Sequence, residues 1–125
     1  DDNGKNFVNT IAKLAQEREE LRIVSDQIGS PTSASYIAEI TLKIIRKFQN
    51  DKEFLGGVYH CTGAKYMSWY DFACEIVEDM KARNVELKVK NIIPIKTAEF
   101  KTAAKRPINS RLNCDKLKNI LKILA

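Results

Sequence analysis

The sequence predicts an α/β fold of short strands separated by four helices, and three features lead there. Apolar residues recur at helical spacing in four stretches. Short β-branched runs such as Leu21-Arg22-Ile23-Val24 lie between them. Turn formers, Pro31 and Gly56-Gly57 among them, punctuate the boundaries. The same order also accommodates an α+β arrangement. With so few strands a free-standing doubly wound sheet is not expected, so the domain should lean on a partner domain.

From Phe7 to Arg18 the apolar residues Phe7, Ile11, Leu14 and Ala15 mark one buried helical face. Leu21 to Val24 reads as a strand that runs into a polar turn, Asp26 to Thr32. Thr32 is the expected N-cap of a second helix, in which Ile37, Ile40, Thr41, Ile44 and Phe48 recur before an end near Asn50. Val58-Tyr59-His60-Cys61 has a short buried-strand pattern between glycines. Ser68 with Asp71 three residues on resembles a capping box, and Trp69, Phe72, Ala73, Ile76, Val77 and Met80 trace the stripe of a third helix that Asn84 ends. Leu87 to Ile95, broken by Pro94, suggests an edge strand or extended arm. Thr97 to Lys105 reads as loop, Ile108 to Leu112 as a short strand, and Cys114 to Leu124 as a last helix.

A length of 125 residues fits one compact domain over 1–125. Three widely spaced cysteines, Cys61, Cys74 and Cys114, form no C-x-x-C pair, so neither a disulfide framework nor a zinc site is signalled and a reducing, cytoplasmic setting is expected. No apolar run approaches the roughly 20 residues that span a bilayer. The net charge of +5 is interleaved with acids along every helix, which argues against a nucleic-acid surface. Both ends read as cuts: the first residues resemble no signal peptide, and the last run is apolar and uncapped.

Several chemistries are unsupported. The five glycines form neither G-x-G-x-x-G nor a P-loop, and no tyrosine has a lysine four residues on, so hydride transfer is not encoded in this segment. His60 reads as a strand or core histidine, Cys61 as a buried inert thiol, and Trp69 as core, with Tyr70 less settled between core and base stacking. Two loops suggest a small-molecule site instead. Asp26 and Gln27 follow a strand end, where α/β folds collect ligands, and offer acceptors and a donor for sugar hydroxyls; a capped turn is the plainer account of the same residues. Lys105-Arg106-Pro107-Ile108-Asn109-Ser110-Arg111 sets cations beside hydrogen-bonding side chains, as an anionic ligand requires, although Arg106 also fits a surface cation before a proline.

These loops, D-Q-x-G-S-P-T and R-P-x-N-S-R-L, taken with Asn6-Phe7-Val8, Leu14 to Leu21 and Ser68-Trp69-Tyr70-Asp71, resemble the dTDP-4-dehydrorhamnose reductase family over nearly the whole chain. The part resembled is the C-terminal substrate domain of a Rossmann-type extended short-chain dehydrogenase. The resemblance implies NAD(P)H-dependent reduction of dTDP-4-dehydro-L-rhamnose to dTDP-L-rhamnose, for cell-surface polysaccharide. It also implies that an N-terminal Rossmann part, absent here along with a last helix, binds NADPH or NADH and carries the Tyr-Lys pair, so that the segment alone is inactive. Asp26, Gln27, Pro31 and Thr32 would line the floor of the sugar-nucleotide pocket, and Arg106, Asn109 and Ser110 would close over the diphosphate. Some relatives use a glutamate three residues after the P-T pair in a magnesium site at a homodimer interface; Ser35 stands there, so no metal is expected through this loop and that dimer mode loses its support. Non-catalytic relatives that serve as regulatory subunits are the alternative implied by the same likeness.

Overall fold

The computed structural model describes residues 4–51 and 56–122, which divide into two compact units. The first comprises the described residues up to Gly29 together with Met67–Ser110; the second comprises Ser30–Tyr66 and the described residues from Arg111 onward.

In the first unit, helix α1 (Phe7–Glu17) starts where the Asn6 side chain accepts the Asn9 N–H at 2.9 Å, satisfying one of the orphan donors of the first turn. Its apolar face buries Ile11 and Ala15. Strand β1 (Glu20–Val24) pairs in parallel with β4 (Asn91–Ile95), in a register running from Glu20 opposite Asn91 to Val24 opposite Ile95. Between them in sequence, β2 (Ile28–Gly29) pairs antiparallel with β3 (Met67–Ser68), which leads directly into α3 (Trp69–Ala82). The capping box forms with aspartate in the usual glutamate position: Ser68 Oγ accepts the Asp71 N–H at 3.0 Å, and the Asp71 carboxylate accepts the Ser68 N–H at 3.3 Å. Asn84, at φ 60°, ends the helix in the left-handed conformation that asparagine tolerates better than most residues.

Ile11, Ala15, Leu21, Ala73, Ile76, Val77 and Met80 form one core shared by α1, β1 and α3. Ala15 and Ala73 are both fully buried, and small side chains of this kind allow close packing of helices. The arm at 87–90 is not a strand. Its N–H groups go to the end of α1 and the bend after it instead, with Lys88 and Val89 both donating to Ala15 O at 3.0 Å and Lys90 donating to Glu19 O at 2.7 Å. A 3-10 turn, η1 (Thr97–Glu99), follows β4 where a plain loop was expected. The expected strand at 108–112 reduces to one parallel bridge between Ile28 and Asn109.

In the second unit, α2 (Ala34–Asn50) and α4 (Asp115–Leu121) bury Ile40 and Leu117. The cap of α2 is Ser33, whose Oγ accepts the Tyr36 N–H at 3.1 Å, rather than Thr32. Residues 58–61 form no strand: no partner strand faces them among the described residues, Val58 is 75% exposed and His60 is exposed. An extended run without a ladder gains nothing from its apolar pattern alone. Here it is tied by Lys116, which donates to Val58 O at 3.0 Å and lies 4.5 Å from the centre of the Tyr59 ring. The last expected helical residues, 123–124, lie outside the described residues.

Truncating the core should be costly where the surface is tolerant. Ile11→Ala is expected to destabilise by about 2–5 kcal/mol in denaturant unfolding, whereas Ile108→Ala, at a 63% exposed position, should stay within about 0.5 kcal/mol. Equal effects would contradict the core described above.

Candidate functional site

The parallel register of β1 and β4 delivers two chain segments to the same sheet end. Ser25 extends the ladder by one residue, its N–H donating to Ile95 O at 2.8 Å. Just beyond, the Asp26 carboxylate accepts the Thr97 N–H at 3.0 and 3.1 Å and the Thr97 hydroxyl at 2.5 Å. The Thr97 oxygen in turn accepts from Gln27 Nε2 at 3.2 Å. Donation by the Thr97 hydroxyl, then by its N–H, holds the Asp26 carboxyl below the ordinary value of 3.8, with a smaller contribution from the Lys96 charge and opposition from burial. Ile28 is clasped by the second loop: its N–H donates to Ile108 O and its carbonyl accepts the Ser110 N–H, both at 2.7 Å.

Against this end of the first unit lies a cavity of about 460 Å³. Three arginines, Arg18, Arg22 and Arg106, border it. Arg22 has a distant, exposed ion pair with Glu99 at 3.9 Å; Arg18 and Arg106 have no acidic partner among the described residues. Phe7, Trp69 and Phe100 supply aromatic surface, with the Phe7 and Trp69 rings 4.7 Å apart and tilted by 54°. Gln27 completes the polar lining with Thr10 and Thr102. An apolar pocket with a few placed polar groups and two unneutralised guanidiniums suits an anionic organic ligand with a flat ring, because each feature matches one part of such a molecule.

Of the seven residues singled out from the sequence, Gln27 and Arg106 border this cavity together. Asp26 is turned to Thr97, and Asn109 and Ser110 run beside Ile28 and Gly29 as backbone partners. Pro31 and Thr32 belong to the second unit, where the Thr32 hydroxyl donates to Ser30 O at 2.9 Å and accepts the Gly63 N–H at 2.9 Å. That approach requires glycine at 63, since a Cβ there would clash with Pro31 O. Trp69 corrects the core expectation: it is 40% exposed and borders the cavity, because at the first turn of α3 it stands above the buried stripe. His60 is exposed rather than held in a strand, and burial, followed by the neighbouring Cys114, pushes the Cys61 thiol up, away from nucleophilic character. Arg18, Arg22, Phe100 and Thr97 were not anticipated. The arginines read only as charge interleaved with acids, and nothing local in the sequence aligns Thr97 with Asp26.

A family model described as the RmlD substrate binding domain matches residues 1–125. The chain is 38% identical over 113 residues to a dTDP-4-dehydrorhamnose reductase of Escherichia coli K12, covering 90% of this chain and 38% of that protein. Among solved structures, a dTDP-4-dehydrorhamnose reductase of Clostridium acetobutylicum superposes with a TM-score of 0.78 at 38% identity, covering 94% of this chain and 38% of that one. The Bacillus anthracis reductase, solved in complex with NADP, superposes with a TM-score of 0.69 at 37% identity, covering 93% of this chain and 37% of that one. The chain therefore spans well under half the length of the relatives it matches.

The Asp26 contacts have a defined pH signature. Because the folded pKa is depressed, their stabilisation is complete above the unfolded value of 3.8 and is lost as pH falls through the lower, folded value. Carboxyl 13C titration of Asp26 is expected to give a midpoint below 3.8; a midpoint at or above it would contradict the donation by Thr97.

Proposed function

Because the chain belongs to the RmlD substrate-binding-domain family, we propose that it forms the sugar-nucleotide-binding part of a dTDP-4-dehydrorhamnose reductase, which reduces dTDP-4-dehydro-L-rhamnose to dTDP-L-rhamnose. The observation that carries this reading is the cavity of the first unit, where Arg18, Arg22 and Arg106 meet aromatic surface and Gln27. Guanidinium groups match the diphosphate, with planar donor forks suited to bidentate contact with its oxygens. Phe7, Trp69 and Phe100 offer stacking or edge contact to a thymine ring, and Gln27 offers hydrogen bonding to a sugar. This segment selects and orients the substrate.

The hydride comes from NADPH or NADH, held mainly by an N-terminal Rossmann part of the same polypeptide. The NADP found in the Bacillus anthracis relative supports that assignment. A partner for the second unit is supported by its own surface. Ile37 and Ile45 share one side of α2 at helical spacing and are 45% and 49% exposed, an apolar face that the longer relatives have additional chain to cover. The setting proposed is the cytoplasm, where nucleotide sugars and reduced nicotinamide are available and free thiols such as Cys61, Cys74 and Cys114 persist. No described helix is long and apolar enough to cross a membrane.

Arg106 provides the direct test. In the complete polypeptide carrying this segment, Arg106→Glu is expected to raise the KM for the dTDP-sugar by about 10-fold to 100-fold, the loss of charge-assisted bonds to a phosphate. Arg106→Lys, which keeps the charge but not the fork, should fall between. An unchanged KM in Arg106→Glu would remove the cavity from the substrate site.

A further inference from the structure

Gln27 borders the cavity, and its carboxamide has two ends to offer a ligand, an oxygen and an amino group. Two linked hydrogen bonds decide which. An ionised carboxylate only accepts, so the single hydroxyl proton of Thr97 is committed to Asp26. The Thr97 oxygen then has only lone pairs left to offer Gln27, and the atom facing it at 3.2 Å must be the donor, Nε2. The opposite rotamer of the amide would set two acceptors face to face with no proton between them. Oε1 is thereby left over, with no protein partner among the described residues.

We infer that Thr97 is a positioning residue which, anchored by Asp26, fixes the Gln27 carboxamide so that the cavity presents an acceptor selecting a hydroxyl-bearing ligand group. The inference rests on the sugar-nucleotide reading of the cavity for its ligand, but the relay itself is a property of the protein alone. It divides the cavity chemically. The guanidinium groups of Arg18, Arg22 and Arg106 attract the anionic part of a ligand. The Gln27 oxygen repels a phosphate or carboxylate and rewards a hydroxyl donor, so the two polarities orient a molecule that has an anionic centre and a sugar. Thr97 need not touch the ligand to set that preference.

The test compares Thr97→Val, which keeps the side-chain shape and removes the hydroxyl, with Thr97→Ser, which restores it, in the complete polypeptide. Calorimetric affinities for dTDP-glucose and for dTDP separate the sugar end from the anionic end. Thr97→Val is expected to weaken dTDP-glucose by about 5-fold to 10-fold, the worth of one misaligned hydrogen bond, and dTDP by less than about 2-fold. Thr97→Ser should return both to within about 2-fold of the unsubstituted protein. A ligand-free readout accompanies these: with glutamine side chains labelled by 15N, the Gln27 amide resonances should shift in Thr97→Val and return in Thr97→Ser. Equal weakening of both nucleotides would overturn the acceptor role, and unmoved Gln27 resonances would overturn the relay. If the resonances respond but the unsubstituted protein binds neither nucleotide, the sugar-nucleotide reading fails, and the ligand-facing half of the inference fails with it.

Discussion

Everything at the candidate site depends on the parallel pairing of β1 with β4. Val24 opposite Ile95 fixes the register, and two residues later the same register sets Asp26 against Thr97, 71 positions away in sequence. A slip of one residue would turn each side chain to the other face of the pair and separate the carboxylate from its donors. The slip is resisted by burial: Leu21, Val24 and Ile95 are all buried in this register. Packing energy spent on the sheet therefore also sets the geometry at its end. Pro94 is compatible with this because β4 has only one strand neighbour among the described residues, the edge setting in which a missing donor is tolerated.

The same economy appears on α1. Ile11 is buried in the core and also borders the cavity, with Phe7 and Leu14 on either side of it. The floor of the cavity is thus the outer surface of the core, and its shape follows from α1, whose position is set by its packing on α3. Above that apolar floor, Arg18 and Arg106 carry no neutralising acid among the described residues. Cations beside apolar surface act through a lower effective dielectric than cations surrounded by water, so an anion entering the cavity is attracted more strongly than the modest net charge of +5 suggests.

The helices were legible in the sequence because their signals are local. Periodicity gives the buried face, and Ser68 with Asp71 marks a start that the structure reproduces. Strand pairing was less legible, since it depends on partners far away in the chain. Val58 to Cys61 has the apolar pattern of a buried strand yet forms none without a ladder among the described residues. Thr32 and Ser33 are both sound caps, and the choice fell to Ser33 because the Thr32 hydroxyl is taken by Gly63 N–H and Ser30 O. Trp69 fits the helical stripe by spacing, but spacing alone does not say where along α3 the core stops. Thr97 carried no local signal at all; only the β1 and β4 register gives it a role.

Two accounts of the Asp26-Gln27 pair, a capped turn and a ligand contact, look like rivals when the residues are read in sequence. The hydrogen bonds give the turn to Asp26, and the ligand contact proposed above falls to Gln27. Asp26 is consumed in holding Thr97, and a carboxylate pointed into the cavity would in any case repel the anion that the arginines attract. Gln27 is neutral, so it can border the same cavity without opposing that charge, and its amino group is occupied by Thr97. The structural role of the first residue is what gives the second a single chemical face. A turn that was merely capped would leave the carboxamide free to rotate, and a site that merely bound would have to order it at an entropic cost on each encounter. In the proposed site, joining the two functions would remove that cost before a ligand arrives.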